Sequence, residues 1–145
     1  MPSYRERVRP AVWWYPIIAL IIPAALLILA PVSIVAGALT AAGLVAGCLV
    51  LLLTSAPVIE VADGELRAGR ARIPLTLVGE VLVARGTDAR HERGPGLDAR
   101  AWLLLRGDVD PVVRVTILDP DDPAPYWLVS TREPEALARA IDGAR

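Results

Sequence analysis

"PAVWWYPIIALIIPAALLILAPVSIVAGALTAAGLVAGCLVLLLTSAPVI", residues 10–59, contains no charged side chain. A spanning helix needs ~20 apolar residues, whereas a single helix of this length would run ~75 Å, far beyond a bilayer core of ~30 Å. Two spans with a tight connection are the economical reading. The first is placed at residues 13–29 and the second at residues 34–54, with Pro31 and Ser33 in the turn. Pro23 removes a backbone donor midway along the first span and is expected to kink it. Trp13, Trp14 and Tyr15 open that span, where amphipathic rings favour the headgroup level, and are read as interface anchors. Gly43 and Gly47 form a GxxxG pair suited to close helix packing, first against the other span and second in self-association or docking on another membrane protein. The rival reading is a cleaved signal sequence, with small residues Ala36 and Ala38 at a cleavage site, but the apolar stretch is too long for a usual signal core.

The flanks give the orientation. Arg5, Arg7 and Arg9 precede the block and Arg67, Arg70 and Arg72 follow it, while the connection carries no charge. The positive-inside rule then expects both termini in the cytoplasm and a multi-pass protein of the cell membrane. The whole chain of 145 residues has a net charge of −1, which argues against nucleic acid as a partner. Cys48 is the sole cysteine, so no intrachain disulfide forms. Intramembrane transport and proton relay use ionisable residues inside the spans, and this block has none. The hairpin is expected to be an anchor.

After residue 56 the period changes. "VIEVADGELRAGRARIPL" alternates apolar and polar residues around Asp63-Gly64, a strong hairpin dipeptide. "LVGEVLVA" (77–84) reads as a strand with a bulge or close approach at Gly79. Residues 85–100 read as a polar loop or partly helical excursion. Three further short strands follow, "AWLLL", "VVRVTIL" and "YWLVS". Leu137 and Ile141 share one face of a closing helix, with Ser130 or Thr131 as cap, Glu133 completing a capping box with Ser130, and Pro134 in its first turn. The expected fold is a membrane α-helical hairpin plus a small antiparallel barrel or curled sheet, one end plugged by a C-terminal helix. The corresponding segments are a basic N-terminus (1–12), the two-span hairpin (13–56) and a cytoplasmic β-domain (57–145).

Three stretches, "YRERVRPAVWWY" (4–15), "VADGELRAGRARIPL" (61–75) and "DPDDPAPYWLVSTREPEAL" (119–137), resemble the DUF3093 family of small bacterial membrane proteins of unknown function. The likeness covers nearly the whole chain, and the last motif is the most specific. The strand-then-helix tail is similar to bacterial pleckstrin-homology-like domains, which often follow a pair of membrane spans. That likeness implies an architecture and carries no activity with it.

The polar residues offer little assembled chemistry. His91 stands alone in a polar loop, without the partners a metal site or triad requires. Asp119, Asp121 and Asp122 form the densest carboxylate group, but prolines stiffen it as a turn and a distal glutamate is missing. No catalytic residue, metal ligand or cofactor is assigned. The candidate contacts for lipid or partner are Arg70 and Arg72 near the inner leaflet, Arg132 at the last strand-to-helix junction, and the adjacent Tyr126 and Trp127. As neighbours on a strand these two rings face opposite sides, one into the core. Three functions follow in order: a non-enzymatic membrane-anchored interaction module for another membrane or envelope-associated protein; a module recognising anionic headgroups or a small ligand; and an enzyme subunit using His91 or the aspartates.

Overall fold

The strand that was not visible in the sequence organises the fold. In the computed structural model, which describes residues 3–145, Tyr4–Arg7 is the first strand, β1. It pairs antiparallel with β2 (Val58–Ala62), setting Tyr4 opposite Val61 and Arg7 opposite Val58. The chain divides into two compact units: one runs to Val8 and resumes from Pro57 to Arg145, and the other is Arg9–Ala56. The charged N-terminal stretch therefore belongs to the sheet domain for at least its first half.

In the sheet unit, β1 and β2 continue through β3 (Glu65–Ala68) and β4 (Ala71–Pro74) as one four-stranded antiparallel sheet in sequence order. Asp63 and Gly64 both take positive φ, 52° and 74°, the mirror-image turn that matches the twist of a two-residue hairpin. A 3₁₀ turn at Leu75–Leu77 leads into the second sheet, ordered β5 (Val78–Ala84), β7 (Val112–Ile117), β8 (Tyr126–Ser130) and β6 (Trp102–Leu104). The register between β5 and β7 slips between Val78 and Val81. Gly79 sits in that slip, where a Cβ would lie 3.1 Å from the Leu118 side chain and 3.3 Å from Thr116. The bulge thus answers to a close approach.

One pair departs from the antiparallel expectation. β6 runs parallel to β8, with Trp102 beside Trp127. Between β5 and β6 the chain makes α4 (Gly86–Arg93), so of the two readings of residues 85–100, loop or partly helical excursion, the second is the one seen. The inward faces of both sheets share one core built on Ile59, Val61, Leu66, Val113, Val115 and Trp127. The closing helix α5 (Pro134–Gly143) inserts Leu137 and Ile141 into it. A smaller cluster of Ala89, Val112, Tyr126 and Leu128 lies where α4 covers the opposite face of the second sheet.

The helical unit consists of α1 (Trp14–Ala19), α2 (Ile21–Leu29) and α3 (Ile34–Thr54). The break at Leu20 falls three residues before Pro23, whose ring and missing N–H disturb the preceding turn. Ser33 caps α3 by accepting from the Ala36 N–H at 3.3 Å. Among the described residues α3 alone is long and apolar enough to cross a membrane. Gly37 of α3 packs on α2, with an added Cβ 3.3 Å from the Leu26 side chain. Gly43 and Gly47 have open space above them, so the GxxxG pair is not the packing surface between these two helices. GxxxG spacing selects a helix face but does not say which neighbour it meets.

Candidate functional site

The N-terminal strand and the β8-to-α5 junction are joined by a polar network. Glu6 on β1 accepts from the Tyr4 hydroxyl at 2.7 Å, from the Thr131 hydroxyl, and from the Arg132 N–H at 3.0 Å. Thr131 is fully buried and its oxygen also accepts from the Glu133 N–H at 3.1 Å. Burial, followed by the neighbouring Glu6 carboxylate, pushes the Tyr4 phenol well above its ordinary pKa, against the lowering effect of the Thr131 bond. Ser130 is turned elsewhere and accepts from the Arg106 N–H at 3.0 Å. The expected Ser130–Glu133 capping box is therefore absent, and Thr131 ties the junction together. The acid that completes it comes from β1, 125 positions earlier in sequence.

This network explains Arg132. Its backbone is held by Glu6, while its guanidinium lies 3.6 Å from Asp108, which also pairs with Arg106 at 3.0 Å. Arg132 stands against β1, whereas Arg72 is on β4 at the other edge of the same sheet, three strand spacings or ~14 Å away. The three arginines singled out from sequence do not form one site. Arg70 and Arg72 are exposed, in the β3–β4 turn and on β4.

Tyr126 and Trp127 occupy opposite faces of β8 and both are buried. Trp127 enters the main core and packs on Trp102 with ring centroids 5.0 Å apart. Tyr126 lies under the α4 excursion; its hydroxyl accepts from the Asp98 N–H at 2.7 Å, and the Arg114 guanidinium sits 4.1 Å above its ring. Neither ring is presented at the surface, so the pair serves packing. Trp13, Trp14 and Tyr15 are exposed in the helical unit, the first two rings 5.6 Å apart.

The remaining polar candidates stay apart. His91 is exposed on α4. Asp119 and Asp122 close local turns by accepting from the Asp121 and Ala124 N–H groups at 3.0 and 2.8 Å. No group of three metal-ligating side chains converges among the described residues.

What sequence reasoning missed is a pattern across the first sheet. Arg5, Glu60, Arg67 and Arg72 stand opposite one another in successive strands. Each has a buried residue beside it in its strand, Tyr4, Ile59, Leu66 and Ile73, and so faces outward. The signal was present as the alternation in "YRER", but it becomes a row only once the strand partners are known.

Fold and polar network together define a two-sheet β-domain interrupted, between its first and second strands, by a block of apolar helices. The chain belongs to the DUF3093 family, described as a protein of unknown function, which it matches over residues 3–141. No curated protein and no solved structure matches it.

Proposed function

We propose that the chain is a membrane-anchored, non-enzymatic interaction or scaffold protein, a two-span hairpin carrying a cytoplasmic pleckstrin-homology-like domain. The observation that carries this reading is the pairing of β1 with β2. The Val8 N–H donates to the Pro57 carbonyl at 3.0 Å, so the apolar block leaves the sheet and returns to it at adjacent points. A segment whose ends are stitched together crosses a bilayer an even number of times, or not at all. Its large apolar side chains, most of them exposed, favour crossing. α1 with α2 would form one limb and α3 the other. The positive flanks then orient both termini to the cytoplasm of a multi-pass cell-membrane protein.

Sheet order supports the domain assignment. Four antiparallel strands, a second sheet and a closing helix seated in the core support the pleckstrin-like reading, from which α4 and the parallel β6 depart. The partner on this reading is another membrane or envelope-associated protein.

Cysteine accessibility tests the topology. In a Cys48→Ala background, single cysteines replace Ser33 in the connection and Arg145 at the end of the chain. An impermeant thiol reagent should label position 33 in intact cells and position 145 only after the membrane is opened. Labelling of position 145 from outside overturns the reading.

A further inference from the structure

We propose that β1 is a releasable strap: the pairing of α2 with α3 keeps it in place, and its release loosens the β8-to-α5 junction. The device does not rest on the membrane-anchored reading. Little in β1 itself favours a strand. Three of its four residues are charged, whereas strands prefer β-branched and aromatic side chains. What holds it is its place in the chain. β1 is joined to its partner β2 only through Arg9–Ala56, the whole of the helical unit. An open, flexible connection of ~50 residues dilutes one end at the other by roughly a few hundredfold. Here the connection is folded back on itself, with Gly37 of α3 against Leu26 of α2 and Ser33 capping the return. The loop is closed before β1 pairs, so the strand forms at little further loss of entropy. This influence travels along the chain and requires no contact between the two units.

Release of β1 withdraws more than a ladder. Tyr4 and Val8 leave the main core, and the β2 edge from Val58 to Ala62 loses its partner. Glu6 goes with them, so the buried Thr131 hydroxyl and the Arg132 N–H lose their acceptor. Thr131 in turn holds the Glu133 N–H at the entry to α5. Unsatisfied groups there favour fraying of the first turn of α5. β7 and β8 bond to each other and take no part. The state of the helical unit is thus read out at one junction of the sheet unit, with the rest of the core undisturbed.

Amide hydrogen exchange of the full chain in mild detergent tests the device. Gly37→Val and, independently, Ala41→Leu enlarge the two buried positions of α3. Each should speed exchange at residues 4–8 and 131–137 about tenfold or more, while Val113, Val115 and Leu128 keep the parent rate. Gly43→Val, at a position with open space, should change neither. A cross-strand disulfide supplies the control. Hydrogen-bonded pairs alternate along the ladder from Val8–Pro57, which puts Arg5 and Glu60 at a non-hydrogen-bonded pair. Cα atoms at such a pair lie ~4.5 Å apart, within disulfide reach. In a Cys48→Ala background, oxidised Arg5→Cys/Glu60→Cys fastens the strap and should return residues 131–137 to parent exchange in both α3 variants. Reduction should release them again. Parent exchange at residues 4–8 in both α3 variants overturns the proposal. So does acceleration spread evenly over β7 and β8, which is global unfolding. Acceleration at residues 131–137 that the disulfide leaves in place overturns it too, since β1 is then not the link.

Discussion

The two units use similar apolar residues in opposite ways. In the sheet unit Ile59, Val61, Leu128 and Ile141 have no solvent exposure, and only a few large apolar side chains, Leu82, Val83, Leu103 and Leu118, are exposed. In the helical unit Leu27 is 78% exposed and Leu39 70%, while α3 buries only Gly37 and Ala41. The first unit is ordered by water from without. The second turns hydrocarbon outward and small residues inward, the arrangement expected when association must rely on close backbone packing. The contrast teaches that hydrophobicity alone does not locate a core, since equally apolar residues are enclosed in one unit and exposed in the other.

The sharpest way to break that contrast is to truncate one leucine in each unit. Leu128→Ala removes a fully buried side chain between β7 and β6, and should cost about 2–5 kcal/mol of stability. Leu27→Ala, on the outward face of α2, should leave unfolding of the sheet unit unchanged. Urea unfolding of the full chain in mild detergent, followed by the fluorescence of buried Trp127, measures both. Equal losses would show that the helical unit is an ordinary core whose cover is missing.

A second prediction concerns the joint between β1 and the β8-to-α5 junction of the sheet unit. Glu6→Ala leaves the Thr131 hydroxyl and Arg132 N–H without their acceptor and should cost about 2 kcal/mol. The same joint imposes a pH dependence. The folded Tyr4 phenol titrates above its unfolded value of about 10, so its contribution is fully present below that pH and is lost as pH rises through the interval above it. Melting at a series of alkaline pH values should therefore show a decline that Tyr4→Phe flattens. An unchanged alkaline limb in that variant removes Tyr4 as its source.

Local features were the ones legible in sequence. The helix over Ile34–Thr54 coincides with the stretch chosen for its apolar length, and Asp63-Gly64 makes the turn its composition demands. The irregularity at Gly79 was also readable, because only a missing Cβ suits such an approach. β1 was not. "YRER" carries three charges in four residues, and becomes a strand because Val58–Ala62, more than fifty positions away, offers it a ladder. The parallel partnership of β6 with β8 was hidden for the same reason, since strand composition is nearly silent on direction. Of the candidate site residues, sequence alternation correctly put Tyr126 and Trp127 on opposite faces. It had no means of knowing that α4 covers the outer one.

The smallest effect separates glycines within one helix. Gly37 lies on the packed face of α3, where a new Cβ would press on the Leu26 side chain at 3.3 Å and approach the Leu29 Cβ at 3.5 Å. A flexible leucine end can give way to a methyl group, but the branched Gly37→Val should force α2 and α3 apart, costing about 1–3 kcal/mol. A Cβ at Gly43 meets nothing within 4 Å, so Gly43→Val should leave the pairing of α2 and α3 intact, their interface belonging to Gly37 and Ala41. Disulfide trapping between cysteines placed on α2 and α3, in a Cys48→Ala background, reports the difference. Reduced trapping with Gly43→Val and normal trapping with Gly37→Val would reverse the assigned faces. It would also restore the GxxxG pair as the contact between the two helices.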